Sequence, residues 1–266
     1  DQGYALDPAD SAALLATGAA VPRSFPARLV VLLLRRWRCN PKAPITLFPC
    51  ELIARNGHTL RELAAGLASE WRAPDAFVAY LREQCVWVNS LVDRIVSAPL
   101  HPVGAVAEPY ALWAIERQPR MVLPCSHPAI VVADALAGFE NRKLWLLNLA
   151  HSYLAERWLA DGRRPDETVL EAMNDPALRS QLEAVWHEEV LPVFDAQGEG
   201  HEARAYLVDV RERLLNPFLA HRLADIAQNH AQKKLRRLAS LIEAADRLGL
   251  RSGQARLRAT LTSAAG

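Results

Sequence analysis

The chain has 266 residues, of which 51% are hydrophobic, enough to bury a core and to exclude disorder along its whole length. Its 31 basic and 30 acidic residues give a formal net charge of +1, which argues against a nucleic-acid-binding protein. The longest wholly apolar run, Leu29 to Leu34, is too short to cross a bilayer, and no export signal is recognisable. Because the four cysteines are scattered without a C-x-x-C pair, we expect reduced thiols and a cytoplasmic protein.

The first half of the chain predicts a mixture of helices and strands. Three stretches have apolar residues at helical spacing: 27–38, 58–71 and 74–85. Four short stretches are β-favouring and lie between proline-containing loops: 45–49, 86–88, 110–115 and 130–132. So few strands cannot make an intact six-stranded parallel sheet, because each pair of parallel strands needs a crossover. We therefore expect an incomplete sheet, with self-association through its uncovered edge.

From Phe139 onward every pattern is helical. The helical stretches are 139–160, 176–190, 202–214 and 217–248. Pro176 and Pro217 stand at first-turn positions, where a missing N–H costs nothing. The sequence thus predicts an α/β portion over residues 1–138, followed by an all-α domain over residues 139–266, and a chain that is predominantly helical.

The generic catalytic signatures are missing. There is no P-loop, no G-x-S-x-G elbow and no H-E-x-x-H sequence. Residues 198–203 match G-x-G-x-x-A, but they follow a helical stretch and not a strand, so we expect an interhelical loop. The basic cluster Lys233, Lys234, Arg236 and Arg237 has no interleaved aromatic residues, so we expect a solvated helix face.

The most informative stretch runs from Lys143 to His151 along a very apolar helix. At about 100° per residue, His151 lies about 80° around the helix from Lys143, and Asn148 about 140°. These three polar side chains can therefore converge on one flank. Burial would lower the pKa of Lys143 and make it available as a general base. The alternative is a lysine whose ammonium reaches solvent, next to a hydrogen-bonded core asparagine and histidine.

This spacing, Lys-x(4)-Asn-x(2)-His, resembles the motif of the polyol-specific long-chain dehydrogenase/reductase family, which includes the mannitol dehydrogenases. Further segments of the chain resemble other blocks of that family, in the same order: 49–53 with Asn56-Gly57, 89–96, Glu108-Pro109 with 112–115, and Arg213 with Asn216-Pro217 and Lys233. The resemblance covers the chain from about Ser24 to about Leu250.

The resemblance implies a site and a cofactor. It makes Lys143 the catalytic acid/base, Asn148 the group that polarises the reacting carbonyl, and His151 a substrate-positioning residue. It further implies that Arg213, Asn216 and Lys233 bind substrate, with Arg213 and Lys233 receiving a carboxylate, and that Asp93 and Asn56 lie near the cofactor. It implies NAD as that cofactor and no metal. Residues 1–138 would then be a partial Rossmann-like dinucleotide-binding domain, and residues 139–266 the substrate domain.

The resemblance also implies a reaction. The segment Cys50-Glu51-Leu52 replaces the C-D-N of mannitol dehydrogenases, which favours the branch that interconverts the keto-acid tagaturonate and the sugar acid altronate. Leu149 stands where the family usually has glycine. The glycine-rich first β–α turn is lacking, so we expect that the N-terminal part of the nucleotide-binding domain is missing and that this chain alone binds NADH weakly.

Two alternatives remain open. One is a non-catalytic remnant that acts as a scaffold or partner subunit. The other is a family member that acts on fructuronate or on a sugar alcohol such as mannitol. If the chain is an enzyme, whichever of these substrates it uses, we expect its partner to be a small sugar-type molecule, and neither a nucleic acid nor a membrane.

Overall fold

The structure, a computed structural model, describes residues 3–250 and 253–262. The chain divides into two compact units. The first contains the chain up to Val92 together with residues 112–136, and the second contains residues 93–111 and the chain from Ala137 onward. Segment 93–111 thus packs with the helical second unit. The functional division at residue 138 stays a prediction.

Three helices dominate the first unit, as the sequence predicts. They are α1 (Phe25–Cys39), α2 (Asn56–Glu70) and α3 (Asp75–Glu83). Pro26 occupies the first turn of α1, and Arg36 and Arg38 lie in its last turn, where positive charge favours the negative end of the helix dipole. Their buried faces pack together around Phe77 and Leu81, both 0% exposed.

The strands are short and form three small sheets. The elements are β1 (Ile45–Leu47), β2 (Cys85–Trp87), β3 (Ser90–Asp93), β4 (Val96–Pro99), β5 (Ala105–Ala107), β6 (Leu112–Glu116) and β7 (Ile130–Ala133). β1 pairs in parallel with β2, β6 lies between β3 and β7 and is parallel to β7, and β4 forms an antiparallel pair with β5. Within the described ranges there is no six-stranded sheet, as expected. The sequence missed β3, β4 and β5.

The start of α2 is held close to the end of β2. A Cβ at Gly57 would lie 2.4 Å from the carbonyl oxygen of Val88, so only glycine fits there. The buried Asn56 amide donates from Nδ2 to the carbonyl oxygens of Pro49, Glu51 and Ser90, at 3.0, 3.0 and 2.8 Å. Its Oδ1 accepts from the backbone N–H groups of Gly57 and Ser90. Asn56 is therefore a structural clamp with no unused donor.

The second unit is helical apart from β4 and β5. Its helices are α4 (Ala137–Arg142), α5 (Leu149–Ala160), α6 (Val169–Asn174), α7 (Pro176–Ala184), α8 (Leu191–Gln197), α9 (Gly200–Leu214), α10 (Leu223–Ile226), α11 (His230–Lys234), α12 (Ser240–Arg247) and α13 (Ala255–Thr262). Wide π-helical turns at Lys143–Asn148, Val185–Val190 and Leu235–Ala239 join α4 to α5, α7 to α8 and α11 to α12. The core surrounds Trp186, whose indole N–H donates to the carbonyl oxygen of Leu146 at 3.1 Å.

Two predictions for this unit have different outcomes. Residues 198–203 join α8 to α9, and Gly198 has φ +79°, so the expected interhelical loop is confirmed. The predicted continuous helix over 217–248 is wrong, because helix begins only at Leu223. The backbone around His221 pairs instead with the Glu167–Val169 segment: Val169 donates to His221, and Leu223 to Glu167, both at 2.9 Å.

Within the described residues, no helix is both long enough and apolar enough to cross a membrane.

Candidate active site

Lys143, Asn148 and His151 line one cleft of about 300 Å³ in the second unit. The first two residues begin and end the π-helical turn that precedes α5. A π-helical turn has i→i+5 hydrogen bonds, so it brings residues five apart nearer to one face than an α-helix does. Such turns are frequent at functional sites. The predicted convergence of the three side chains is present, and the wide turn strengthens it for Asn148.

A buried ion-pair network reaches this cleft through Asp93, which lines it. Arg213, on α9, donates from Nη1 and Nη2 to the two carboxylate oxygens of Asp93, at 2.8 and 2.9 Å. Its Nε is 3.0 Å from both carboxylate oxygens of Glu108, and its Nη2 is 2.8 Å from Oε1 of Glu108. The Tyr206 hydroxyl donates to Asp93 at 2.6 Å and accepts from Arg213. The side chains of all three charged residues are at most 3% exposed.

Asp93 connects this network to Lys143. The Lys143 ammonium lies 3.7 Å from Oδ1 of Asp93. Burial lowers the pKa of Lys143 below its ordinary value, the charge of Asp93 opposes that shift, and Arg213 adds to it. Burial alone would raise the pKa of Asp93, but the hydrogen bonds and charge of Arg213 lower it, so Asp93 stays ionised. Lys143 is therefore a lysine that can change protonation state beside a permanent negative charge.

His151 brings an unused polar atom to the cleft. The residue is 6% exposed, and its Nε2 has no hydrogen-bond partner among the described residues. Its ring packs edge-on against that of His221, with 4.9 Å between centroids. Burial lowers the pKa of His151 well below its ordinary value, and the neighbouring His221 adds to that effect. The imidazole is neutral, so Nε2 can serve a ligand as a hydrogen-bond partner.

The charged residues among the other cleft residues are mostly cationic. Arg94, Lys233 and Arg237 line it together with Asp225. The ammonium of Lys233 donates to the carbonyl oxygen of Ile226 at 2.8 Å. The guanidinium of Arg237 donates from Nη1 to the carbonyl oxygen of Asn148 at 3.1 Å, so it is attached to the same turn as the catalytic candidates.

The structure places the predicted substrate-binding residues differently. Lys233 lines the cleft. The Oδ1 of Asn216 accepts from the backbone N–H of Phe218 at 3.0 Å, in the turn after α9, and Asn216 lines a small adjoining cavity with His151. The prediction that Arg213 receives a substrate carboxylate needs correction, because all five of its N–H groups are directed at Asp93, Glu108 and Tyr206.

The predicted cofactor residues have different surroundings. Asp93 lies at the site, where its carboxylate is bound by Arg213 and Tyr206 and faces Lys143. Asn56 belongs to the first unit, where its side chain makes only the structural hydrogen bonds described above. Its side-chain amide thus has no unused donor for a cofactor, and its place near the cofactor stays a prediction.

Sequence reasoning missed part of the site. The expected solvated basic face is wrong for Lys233 and Arg237, which line the cleft, and for Lys234, which is buried and lies 3.0 Å from a carboxylate oxygen of Glu156. Only Arg236 of that cluster is exposed. The signal was available: charges at positions 233 and 237 are one helical turn apart and share a face. In the part of the chain that the structure describes, no group of His, Cys, Asp and Glu side chains could hold a metal ion.

Two family models match the chain. Residues 6–123 match the mannitol dehydrogenase Rossmann domain, and residues 135–256 match the mannitol dehydrogenase C-terminal domain. The altronate oxidoreductase of Halalkalibacterium halodurans is 33% identical over 239 aligned residues, which cover 82% of this chain and 45% of that protein. The altronate oxidoreductase of Yersinia enterocolitica is 33% identical over 235 aligned residues, which cover 80% of this chain and 48% of that protein. The chain thus spans about half the length of the curated relatives it matches.

Two solved structures share the fold. A D-sorbitol dehydrogenase in its substrate-free form has a TM-score of 0.78 and 21% identity, covering 98% of this chain and 57% of that one. The mannitol 2-dehydrogenase of Pseudomonas fluorescens, in a ternary complex with NAD and D-mannitol, has a TM-score of 0.64 and 20% identity, covering 90% and 51%. The two matched domain models and the two altronate oxidoreductases at 33% identity show that the chain belongs to the mannitol dehydrogenase family.

Proposed function

We propose that this chain forms the substrate site of an NAD-dependent oxidoreductase that interconverts the sugar acid altronate and the keto-acid tagaturonate, with Lys143 as the acid/base. The observation that carries the proposal is the convergence of Lys143, Asn148 and His151 in one cleft, with Asp93 next to the lysine. The relatives named altronate oxidoreductase, each about one third identical, support the substrate class.

Lys143 moves the proton. In the oxidation direction the neutral amine accepts the proton of the substrate hydroxyl, and in the reduction direction the ammonium returns it to the new alkoxide. Burial favours the neutral base that this step needs, because it lowers the pKa of the lysine below its ordinary value. Asp93 limits the shift, because it stabilises the ammonium that proton transfer forms.

Asn148 and His151 hold the reacting oxygen and its neighbours. The side-chain amide of Asn148 makes no hydrogen bond to another described residue, so its N–H groups are available to an oxygen that gains negative charge. Preorganised donors of this kind are worth about 3–4 kcal/mol each in acyl-transfer enzymes. The unused Nε2 of His151 would pair with the same oxygen or with an adjacent hydroxyl.

The residues present fit a reaction that uses a nicotinamide cofactor. Lys143, with its lowered pKa, and the unpaired buried nitrogen of His151 can bind the alcohol or the carbonyl that such a cofactor oxidises or reduces. When bound, the nicotinamide supplies the hydride acceptor. For the pyrophosphate, the glycine-rich match at residues 198–203 lies between two helices and not after a strand. The described ranges thus offer no glycine-rich strand-to-helix turn, and we assign no residue to the pyrophosphate.

The test is a substrate panel. The purified protein is incubated with NAD and one of three substrates: altronate, mannonate (the reduced form of fructuronate) or mannitol. NADH formation is followed by absorbance. We expect altronate to give the highest kcat/KM. Because we expect this chain alone to bind NADH weakly, NAD is supplied at increasing concentrations. A preference for mannonate or mannitol would identify another member of the same family, and no turnover of any of the three at the highest NAD concentration would contradict the proposal in favour of a non-catalytic remnant.

A further inference from the structure

We infer that Arg237, together with Lys233, binds the carboxylate of an open-chain sugar acid, and that this cation pair lets the cleft select sugar acids over neutral polyols. The inference rests on the proposed function, which it deepens by assigning the group that recognises the substrate's charge. Lys233 is a residue that the resemblance already implied, and Arg237 takes the place of Arg213, which has no free N–H group.

The two cations have no carboxylate partner. In residues 3–250 and 253–262, Arg213, Lys143 and Lys234 each lie within ion-pair distance of an acidic side chain, whereas neither Lys233 nor Arg237 does. Arg237 donates from Nη1 to two neutral oxygens, the carbonyl oxygen of Asn148 and the hydroxyl of Ser152, at 3.1 and 2.9 Å. Its position is thus fixed while its charge stays uncompensated.

Without a ligand, these two half-buried positive charges reduce the stability of the fold. Burial lowers the pKa of Arg237 to about 10, and the nearby charge of Arg236 contributes. Burial also lowers the pKa of Lys233, to which Arg237 adds. Half-buried cations without a counter-ion destabilise a fold, so an anion that enters the cleft gains a favourable interaction with both. Asp225, an acidic residue of the cleft, is paired with Arg222 at 3.2 Å.

One cleft holds both the candidate acid/base and the two cations, so a single ligand with a reacting hydroxyl and a carboxylate can reach both. Arg237 holds the carbonyl oxygen of Asn148, and the side chain of Asn148 faces the same cleft as Lys143. A chain of several carbons between the reacting hydroxyl and a terminal carboxylate would connect Lys143 to Arg237 within one cleft. A volume of about 300 Å³ is at the lower end of ligand pockets and suits a molecule of hexose size.

The experiment compares two ligands that differ only in charge. Altronate and altritol, the hexitol with a hydroxymethyl group in place of the altronate carboxylate, are titrated into the purified protein by calorimetry and assayed with NAD. The variants are Arg237→Gln, Arg237→Lys and the matched control Arg236→Gln, which removes the same charge from an exposed neighbour. We expect Arg237→Gln to weaken altronate binding about 10- to 100-fold, the effect of one charge-assisted hydrogen bond, and to change altritol binding less than about twofold.

The controls separate the outcomes. Arg236→Gln should leave altronate binding unchanged, and Arg237→Lys should restore part of it. If Arg237→Gln fails to fold, the wild-type protein still decides: altronate binding should weaken as KCl increases, and altritol binding should not. Equal losses for both ligands, equal effects of Arg237→Gln and Arg236→Gln, or no altronate binding to the wild type would overturn the inference. The proposed function fails separately, if the wild type does not reduce NAD.

Discussion

Replacing Arg213 by methionine tests the buried network that supports Lys143. The change leaves Asp93 and Glu108, whose side chains are 2% and 1% exposed, without their shared cation. Breaking a buried ion pair from one side typically costs about 3–5 kcal/mol. Asp93 keeps the Tyr206 hydroxyl at 2.6 Å and Lys143 at 3.7 Å, which offsets part of the loss. We therefore expect the free energy of unfolding at pH 7.5 to fall by about 3 kcal/mol.

The pH dependence of this loss has a definite sign. Asp93 has a lowered pKa in the folded wild type, so its contribution to stability is present above its unfolded pKa and is lost as the pH falls. In Arg213→Met the uncompensated Asp93 carboxylate has a raised pKa, because burial then acts without the arginine, and it takes up a proton before the unfolded chain does. The deficit of the variant should therefore shrink as the pH falls from 7.5 to 5, by up to about 1.4 kcal/mol per pH unit.

Urea denaturation followed by tryptophan fluorescence measures both effects. The control is Arg204→Met on the same helix, since Arg204 pairs with Asp195 at 2.6 Å but both side chains are about half exposed. Exposed ion pairs are worth about 0–1 kcal/mol. A loss for Arg213→Met no larger than that for Arg204→Met, or a deficit that grows as the pH falls, would refute the network as the support of the site.

Two further predictions follow from the same contacts. Asp93→Asn should lower the pKa of Lys143 further, because the charge of Asp93 raises that pKa. The pH at which kcat/KM for alcohol oxidation rises should then move to a lower value. A pH profile that is unchanged or shifted to higher pH would contradict the assigned roles. Gly57→Ala should destabilise the protein, because the new Cβ would collide with the carbonyl oxygen of Val88. On the same helix, the Cβ of Gly66→Ala would contact nothing, so this control should stabilise the protein by about 0.5–1 kcal/mol. Equal shifts in melting temperature for the two variants would refute the close approach at Gly57.

Periodic patterns predicted the elements whose apolar faces are buried along their length. Helix α1 was expected over 27–38 and spans Phe25–Cys39, and β1 lies inside the expected 45–49 stretch. The structure differs from the predicted helices where the backbone makes hydrogen bonds to a segment that is distant in sequence. Pro217 stands at a good first-turn position, but hydrogen bonds of the 221–223 backbone to 167–169 keep that segment out of a helix.

The part of the site that lies on one helical segment could be predicted from the sequence. The spacing of Lys143, Asn148 and His151 depends only on helical geometry, and the structure brings these side chains to one cleft. Partners from distant segments were not predictable. Arg213 lies 120 residues from Asp93 in sequence and 105 from Glu108, so nothing local shows that its charge is already used. Arg237 was taken as solvated for the same reason, since its partners are on another helix.

The kcat of Lys143→Met tests the central claim most directly. The measurement is altronate oxidation by the purified protein with saturating NAD, with the exposed Lys42→Met as the matched control. General acid/base catalysis contributes about 10²- to 10⁴-fold, so we predict a fall in kcat of that size for Lys143→Met, with KM for altronate changed less than about threefold and Lys42→Met unaffected. A Lys143→Met variant whose kcat equals that of the wild type would show that another group moves the proton.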